Sequence, residues 1–246
     1  MKFTILIAAV FFTSFSFGQT QFISQGKIAF ERRVSQFKMN EQDGQEENLW
    51  DVELKKVLTK VLVDEFTLDF TPTQSYYHLT KENIDNKYLF GNIKPIESNY
   101  VVQDFNSGMT SMLRNVFESE YNLKDSIKKF EWKITGEVRE IAGFECKKAI
   151  TKICDSVVVV AFYTDQIPVK GGPENFNGLP GMILGLAIPR LASTWFATKL
   201  ELVNTSIPKL ATKTQKTSWL DMNKELSKGT KSWGKEAAVF LWVTNL

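Results

Sequence analysis

Short runs rich in Val, Ile, Phe, Tyr and Thr recur along the chain, and residues that favour turns separate them. This spacing is typical of antiparallel β-proteins. The run VVVVAFY, at 157–163, is apolar on both faces, which predicts a central or covered strand. The sequence therefore predicts a mainly β fold, built as a curved antiparallel sheet or an incomplete barrel with one or two short helices.

The turn residues, including those at 71–74 and 142–143, set the expected limits of each strand. Stretch 37–48 is polar and is expected to be a loop, 50–64 leaves a short helix and a strand both open, and 221–235 is expected to be a closing helix. In the first strand, Ile28, Phe30 and Arg32 are expected on one face. The predicted strands are 22–34, 65–71, 75–80, 88–91, 100–105, 109–117, 130–135, 137–141, 144–153, 157–164, 183–188, 194–203 and 240–243.

The N-terminus has the pattern of a secretory signal peptide. Lys2 precedes an apolar run from Phe3 to Phe17, and Ser16 and Gly18 are the small residues expected before a cleavage site. The run is too short to span a bilayer comfortably, and no later segment approaches the roughly 18 apolar residues that a transmembrane helix needs. We expect residues 1–18 to be a signal peptide and 19–246 to form a single β-rich domain, exported to the periplasm or cell envelope without a transmembrane segment.

The charge balance argues against a nucleic-acid partner. The 246 residues contain 30 Lys and Arg against 28 Asp and Glu, a formal net charge of +2. Such a balance provides no strong positive field for a polyanion.

Two cysteines, Cys146 and Cys154, occur in a chain that we expect to be exported, where disulfides persist. If both lie on one extended strand, eight residues separate them by about 26 Å, which no disulfide spans. Two unreactive thiols are therefore favoured, and a disulfide across an unrecognised turn is the alternative.

Ionisable residues give no recognisable catalytic or metal-binding set. His78 is the single histidine, and the sequence has no spaced ligands around it and no nucleophile elbow. The adjacent carboxylates Asp64-Glu65 and Glu46-Glu47 are expected to be solvated surface charges, because neighbours on a strand point to opposite faces. Asp165, after the strand 157–164, is the polar residue best placed at the mouth of a site. We predict no catalytic residues, no metal and no cofactor.

The stretch FNGLPGMILGLAI, residues 176–188, lacks the Lys and Ser/Thr of a phosphate-binding loop. Its Leu179-Pro180-Gly181-Met182 core has Pro and Gly where a type II turn requires them, with φ > 0 at Gly181. We therefore expect a turn that sets the direction of a buried strand. As a long ordered crossover on a rigid scaffold, the segment is also the expected place for a ligand or partner loop. Its candidate residues are Asp165, Gly172, Pro173, Phe176, Gly178, Leu179, Pro180 and Gly181.

Several spaced motifs stand out in the second half of the chain: WKI at 132–134, IAGFECKKA at 141–149, FYTDQIP at 162–168, Gly172-Pro173, Phe176 and GLPGMIL at 178–184. Together they resemble the GLPGLI family of exported Bacteroidota proteins. Met182, Phe162 and Phe144 depart from the family pattern without breaking a strand. The resemblance implies an envelope protein, often encoded near TonB-dependent outer-membrane receptors, and implies no known activity. The fold pattern is also similar to that of outer-membrane lipoprotein carriers, which wrap an incomplete barrel around an apolar groove.

Three functions remain open from the sequence. The favoured one is a non-enzymatic periplasmic protein that binds an apolar ligand or a peptide, or assists a TonB-dependent receptor. The second is a structural or interaction protein without a small ligand. The third is an undetected enzyme, such as a hydrolase, with Asp165, His78 and Cys146 as its polar candidates. The oligomeric state is not predicted.

Overall fold

The computed structural model describes residues 22–41, 53, 56, 59–83, 95–154, 156–209 and 214–246. The expected signal peptide 1–18, the Glu46-Glu47 pair and the predicted strand 88–91 lie outside the described residues. No helix in the described part of the chain is long and apolar enough to cross a membrane.

The described residues form a mainly β structure with a few short helices. The helices are α1 (Gln36–Glu41), α2 (Trp219–Gly229) and α3 (Lys235–Thr244), with 3₁₀ turns at Pro189–Leu191 and Lys231–Trp233. The strands are β1 (Gly26–Ser35), β2 (Val61–Phe70), β3 (Gln74–Lys81), β4 (Tyr100–Asp104), β5 (Met109–Val116), β6 (Ser119–Ser126), β7 (Lys133–Ile141), β8 (Phe144–Ile153), β9 (Val157–Thr164), β10 (Met182–Ile188), β11 (Ser193–Glu201) and β12 (Lys216–Thr217).

All of these strands belong to one open sheet. Their order is β12-β6-β5-β4-β3-β2-β1-β11-β10-β9-β8-β7, and every neighbouring pair is antiparallel except β12 with β6. The predicted antiparallel, mainly β class is therefore confirmed.

The sheet curls at its β7 edge. The guanidinium of Arg139 on β7 lies 4.9 Å from the ring centroid of Phe162 on β9 and 5.9 Å from that of Phe196 on β11. The register of β7 against β8 shifts between Ile134 and Val138, around Gly136. Such a bulge bends and twists a strand, which lets the edge fold back over the sheet.

The core follows the alternation of each strand. On β1 the buried residues Ile28, Phe30 and Arg32 share one face, as the sequence predicted. The two apolar members belong to a continuous cluster that includes residues of every strand from β1 to β11 and extends to α2 and α3. Each fully buried Phe, such as Phe30 or Phe70, stabilises the fold by roughly 2 kcal/mol.

Most predicted strands are confirmed, with boundaries that differ by a few residues. The predicted strand 240–243 is wrong, because this stretch lies within α3. A short apolar run has no period that separates a buried strand from a helix. The loop expected at 37–48 is wrong where α1 extends to Glu41, and in the ambiguous 50–64 stretch residues 53 and 56 are helical while β2 begins at Val61.

Two further differences concern the polar parts of the chain. The strand β6, SEYNLKDS, was not predicted, because its polar composition hides the strand pattern. The closing helix expected at 221–235 is confirmed in part as α2, which ends at Gly229 and starts earlier than expected, where the Ser218 hydroxyl accepts a hydrogen bond from Asp221 N.

Candidate functional site

The segment between β9 and β10, residues 165–181, is called the crossover segment below. It carries all eight residues predicted from the sequence as a ligand or partner loop, and its central stretch 171–177 is buried. Phe176 stacks on Phe130 with a centroid distance of 5.0 Å and lies 6.4 Å from Trp132. The crossover segment therefore packs inside the structure, and Asp165, Gly178 and Pro180 are its exposed predicted residues.

The predicted type II turn at 179–182 is wrong. Gly181 has φ of 158°, close to fully extended rather than the +80° of that turn, and Met182 N donates to Ile167 O at 2.9 Å. Glycine is needed at 181 for a different reason. A Cβ there would lie 2.0 Å from the carbonyl oxygen of Thr164, so only glycine allows the two backbone segments to approach.

Side-chain N–H groups attach the crossover segment to its surroundings. Gln103 Nε2 on β4 donates to Asn175 O at 2.9 Å, and Trp132 Nε1 donates to Asn177 O at 2.8 Å. The Asn175 amide donates to the main-chain oxygens of the last two residues, 245 and 246, which follow α3. These bonds satisfy polar groups that burial would otherwise leave unpaired, and they fix the segment between β4 and the end of α3.

Lys128 places a positive charge at the same end of α3. Its Nζ donates to Asn245 O at 2.9 Å and lies 3.5 Å from the centre of the Trp219 ring. A cation is favourable at a helix C-terminus. Burial, together with the nearby charge of Arg114, lowers the pKa of Lys128 to about 8.

A buried ion pair lies at the middle of the crossover segment. Arg114 Nη2 on β5 donates to Glu174 Oε2 at 2.9 Å, and the two side chains are 16% and 5% exposed. Glu174 has φ of 55°, a left-handed conformation that is uncommon for a residue with a side chain. Backbone strain of this kind persists where surrounding contacts hold it, often at functional sites.

A second buried pair corrects a sequence prediction. Asp64, expected to be a solvated surface charge, is fully buried on β2 and accepts a hydrogen bond from Arg32 Nη2 at 2.9 Å. The Arg32 guanidinium lies 5.6 Å from the centre of the Phe66 ring. Glu65, the neighbour of Asp64 in sequence, is exposed as predicted and pairs with Lys81. The expectation was wrong for Asp64 because this position faces the interior.

Tyr77 on β3 lies between these two pairs. Its ring stacks on Phe66 with a centroid distance of 4.9 Å, and the side chain is buried. Within the described residues its hydroxyl makes no hydrogen bond, although Trp195 Nε1 approaches it. Burial, and next the charge of Glu174, raise the pKa of Tyr77 well above its ordinary value, so the hydroxyl keeps its proton and is a donor.

These groups line a pocket, called the ion-pair pocket below. Its wall includes Arg32, Phe66, Tyr77, Tyr100, Arg114 and Glu174, and its volume is about 40 Å³. That volume holds an ordered water molecule or one small functional group of a ligand. Aromatic and polar side chains both line the pocket, a mixture that ligand sites share, but its volume is far below the roughly 300–1,000 Å³ of pockets that enclose a small molecule. The apolar groove expected from the sequence stays a prediction.

The remaining sequence candidates lie away from this pocket or at its rim. Asp165 is 56% exposed and pairs with Lys147, which is 44% exposed, at 2.7 Å. Cys146 is buried, and burial raises the pKa of its thiol to about 12, so no nucleophilic thiolate forms near neutral pH. Cys154 follows the end of β8, so an extended strand separates the two sulfurs.

His78 lies at the rim of the ion-pair pocket and contacts a buried carboxylate on the neighbouring strand β2. Its Nε2 lies 3.3 Å from Asp69 Oδ2, and Lys27 Nζ and Thr205 Oγ1 also bond Asp69 at 2.8 and 2.9 Å. Burial alone would raise the pKa of Asp69, but these three hydrogen bonds outweigh it and lower the pKa to about 2. Asp69 is thus a satisfied structural anion.

No group of three or more His, Cys, Asp or Glu side chains in the described ranges is arranged to hold a metal ion. Sequence reasoning did not identify five residues of the pocket and its ion pairs as site residues: Arg32, Asp64, Tyr77, Arg114 and Glu174. One signal was present, because Glu174 is a charged residue within the glycine-rich GGPENFNGLPG stretch.

The fold and pocket define a class: an open antiparallel β-domain whose interior holds two ion pairs. The family model described as "N-glycanase peptide, N-terminal domain" matches residues 57–224, more than half of the chain. The chain therefore belongs to this N-glycanase N-terminal domain family. Among curated proteins no sequence match was found.

Two solved structures share the fold. PNGF-II in the C2 and P21 space groups matches with a TM-score of 0.54 in each case, at 15% and 16% identity. The matches cover 82% of this chain and 32% of PNGF-II, so this chain spans about a third of the length of that protein. An uncharacterized conserved protein from Thermus thermophilus aligns with a TM-score of 0.37 at 5% identity, over 78% of this chain and 90% of that one.

Proposed function

We propose that this chain is an exported, non-catalytic domain that binds a glycan-bearing peptide at the ion-pair pocket. The observation that carries the proposal is the Tyr77 hydroxyl, a buried donor with no hydrogen-bond partner among the described residues. An unsatisfied buried donor costs about 1–3 kcal/mol. The hydroxyl itself has under 1 Å² of accessible surface, so a ligand oxygen would remove that cost once the pocket wall moves to admit it.

The wall of the pocket supports a polar, neutral ligand. Arg32 pairs with Asp64 and Arg114 pairs with Glu174, so each arginine of the wall has a carboxylate partner of opposite charge. Tyr100, a half-buried aromatic side chain of the wall, adds a face against which the C–H face of a sugar ring packs. The small volume admits one substituent, and the rest of the ligand then lies on the surface around the mouth.

Family membership supports the class of ligand, since the family is named for an N-glycanase. Three polar side chains were candidates for catalysis, and the surroundings of each support a binding role instead. Cys146 keeps its proton, Asp165 is held in an exposed ion pair, and His78 contacts a structural carboxylate. Export is part of the proposal and rests on the signal-peptide pattern of residues 1–18.

Isothermal titration with an asparagine-linked glycopeptide, and with the same peptide lacking the glycan, tests the proposal. We expect the glycopeptide alone to bind, and the Tyr77→Phe variant to bind it about tenfold more weakly, the loss of one hydrogen bond. Asp165→Ala is the matched control on the exposed end of the crossover segment and should keep the wild-type affinity. Absence of binding, or equal binding by Tyr77→Phe, would overturn the proposal.

A second candidate is an interaction protein without a small ligand, with a TonB-dependent receptor among the partners to be tested. It is favoured by an exposed aromatic side chain. Phe117 is 64% exposed at the β5–β6 turn, where its ring stacks on Phe240 at 5.2 Å and contacts Trp233. Crosslinking in the host envelope through residue 117 tests this candidate, and recovery of monomer alone would exclude it.

A further inference from the structure

We infer that the outer edge of β7 pairs with the same edge of a second copy of this chain, so that two protomers form a dimer around a two-fold axis. β7 is the last strand of the sheet order and pairs with β8. Within the described ranges no strand pairs with its other side. Such an edge presents a row of backbone N–H and C=O groups to which another strand adds. No residue of β7 lines the ion-pair pocket, so the inference goes beyond the proposed function.

The β7 edge carries two exposed apolar side chains on one face of the sheet. Ile134 and Val138 are 50% and 51% exposed. They lie opposite Ala149 and Lys147, which are two residues apart on β8, so both side chains project to the same face. Exposed apolar residues on an open edge favour pairing with another strand, which is why edges that stay single usually lack them.

The charges on the opposite face of β7 identify a second copy as the partner. Lys133 and Glu137 are exposed and have opposite signs. Glu137 Oε2 accepts a hydrogen bond from Lys148 Nζ on β8 at 2.5 Å. Lys133 lies opposite Ile150, two residues beyond Lys148, so the two charges share a face. In an antiparallel pair of identical strands the order of residues is reversed, so each lysine meets the glutamate of the other copy.

A two-fold axis at Gly136 also matches the apolar face. Ile134 and Val138 are equally far from residue 136 in sequence, so Ile134 of each copy lies opposite Val138 of the other. A Cβ built at Gly136 has no atom of any described residue within 4 Å, apart from its chain neighbours, so a second strand has room to approach. The bulge around Gly136 interrupts regular pairing, so the contact consists of two short stretches and the dimer is expected to be weak and reversible.

The same axis brings the opposite charges together. Lys133 of one copy lies diagonal to Glu137 of the other, within reach of long side chains. The residue directly opposite Lys133 is Arg139, a like charge. Its guanidinium is directed away from the edge, since it lies 4.9 Å from the centre of the Phe162 ring on β9. Each copy therefore offers the other one attractive pair on each side of the axis.

Sedimentation equilibrium over a range of protein concentrations tests the dimer. We expect the wild type to dimerise reversibly. Glu137→Lys and Lys133→Glu should each weaken dimerisation by about tenfold, because each replaces two attractive pairs with two repulsive ones. Lys124→Glu, the same change of charge at an exposed position on β6 near the other end of the sheet, is the matched control and should dimerise like the wild type.

Mixing the two variants separates an edge contact from a general effect of charge. Glu137→Lys has two lysines on this edge, and Lys133→Glu has two glutamates. The mixture should therefore form a heterodimer whose affinity returns to near that of the wild type, and the variant with both changes should dimerise by itself. A mixture that associates no better than either variant alone would overturn the inference.

Amide hydrogen exchange tests whether the backbone of β7 takes part. In concentrated wild-type protein the amides of β7 should exchange more slowly than in dilute protein, because strand pairing protects them. The amides of β6 should exchange at the same rate at both concentrations. A monomer at every concentration, a dimer that neither charge reversal weakens, or a dimer without protection of β7 would overturn the inference.

Discussion

The crossover segment carries two ion pairs whose surroundings differ. At its start, Asp165 and Lys147 are about half exposed and 2.7 Å apart. At its middle, Glu174 is buried, Arg114 is 16% exposed, and the two side chains are 2.9 Å apart. Water and salt screen the first pair, so it contributes little to stability. The second pair has lost its water, so either charge left alone is costly. Similar distances therefore have different consequences.

This difference divides the crossover segment into an exposed end and a buried middle. The exposed end provided the sequence candidate Asp165, but its charge is neutralised at the surface. The buried middle contains the strained Glu174, and it contributes to the pocket that holds Tyr77 and both arginines. Strain and buried charge together distinguish this part as the candidate site.

The largest expected effect concerns the backbone that supports the buried part. Gly181→Ala would place a Cβ 2.0 Å from Thr164 O, and neither backbone segment can retreat without breaking the β9–β10 pairing. We expect a loss of about 4 kcal/mol or more in the free energy of unfolding, measured by urea denaturation. Gly136→Ala is the control, because apart from its chain neighbours no described residue has an atom within 4 Å of the added Cβ. Equal stabilities of the two variants would contradict the steric account.

Breaking the buried ion pair should have the next largest effect. Glu174→Ala leaves the Arg114 charge in the pocket wall without its carboxylate, and we expect a loss of about 3 kcal/mol in urea denaturation. Glu174→Gln keeps a hydrogen-bond acceptor and should lose less. A loss no greater than that of Asp165→Ala would mean that the two pairs do not differ as described.

A second comparison, between the buried Asp69 and the exposed Glu65 on β2, concerns the stability of the fold at acid pH. The pKa of Asp69 is lowered from 3.8 to about 2 in the folded protein, so the unfolded chain binds more protons between about pH 4 and pH 2. The ionised Asp69 therefore contributes about 2 kcal/mol to the free energy of unfolding. This contribution is fully present above pH 4 and is lost as the pH falls through 2.

Urea denaturation of Asp69→Asn across this pH range checks the expectation. The variant should be less stable than the wild type at pH 7, and the difference should shrink as the pH falls. Glu65→Gln, an exposed carboxylate on the same strand, should keep the wild-type pH profile. A constant difference between Asp69→Asn and the wild type would contradict the expectation.

The smallest effect is expected at the exposed pair. Asp165→Ala removes a carboxylate that water already solvates, so the melting temperature in circular dichroism should match the wild type within error. A clear drop would give Asp165 a structural role that its exposure does not indicate.

Local patterns predicted the sheet better than the site. Alternation on β1 identified Ile28, Phe30 and Arg32 as one inward face, and turn residues located the strands around 71–74 and 142–143 correctly. The pocket depends on pairings between β1 and β2 and between β5 and the crossover segment, which are distant in sequence. Asp64 illustrates the limit: only the register of β2 determines that it faces Arg32 rather than water. Helix α3 illustrates another, since its largely apolar sequence fits a strand equally well.

One titration tests the central claim that the buried part of the crossover segment is the binding site. Amide signals of ¹⁵N-labelled protein are followed by NMR as the asparagine-linked glycopeptide is added. The account predicts that the signals of Tyr77, Arg114 and Glu174 shift while those of Lys147 and Asp165 do not. Shifts confined to Lys147 and Asp165, or no shifts at all, would contradict it.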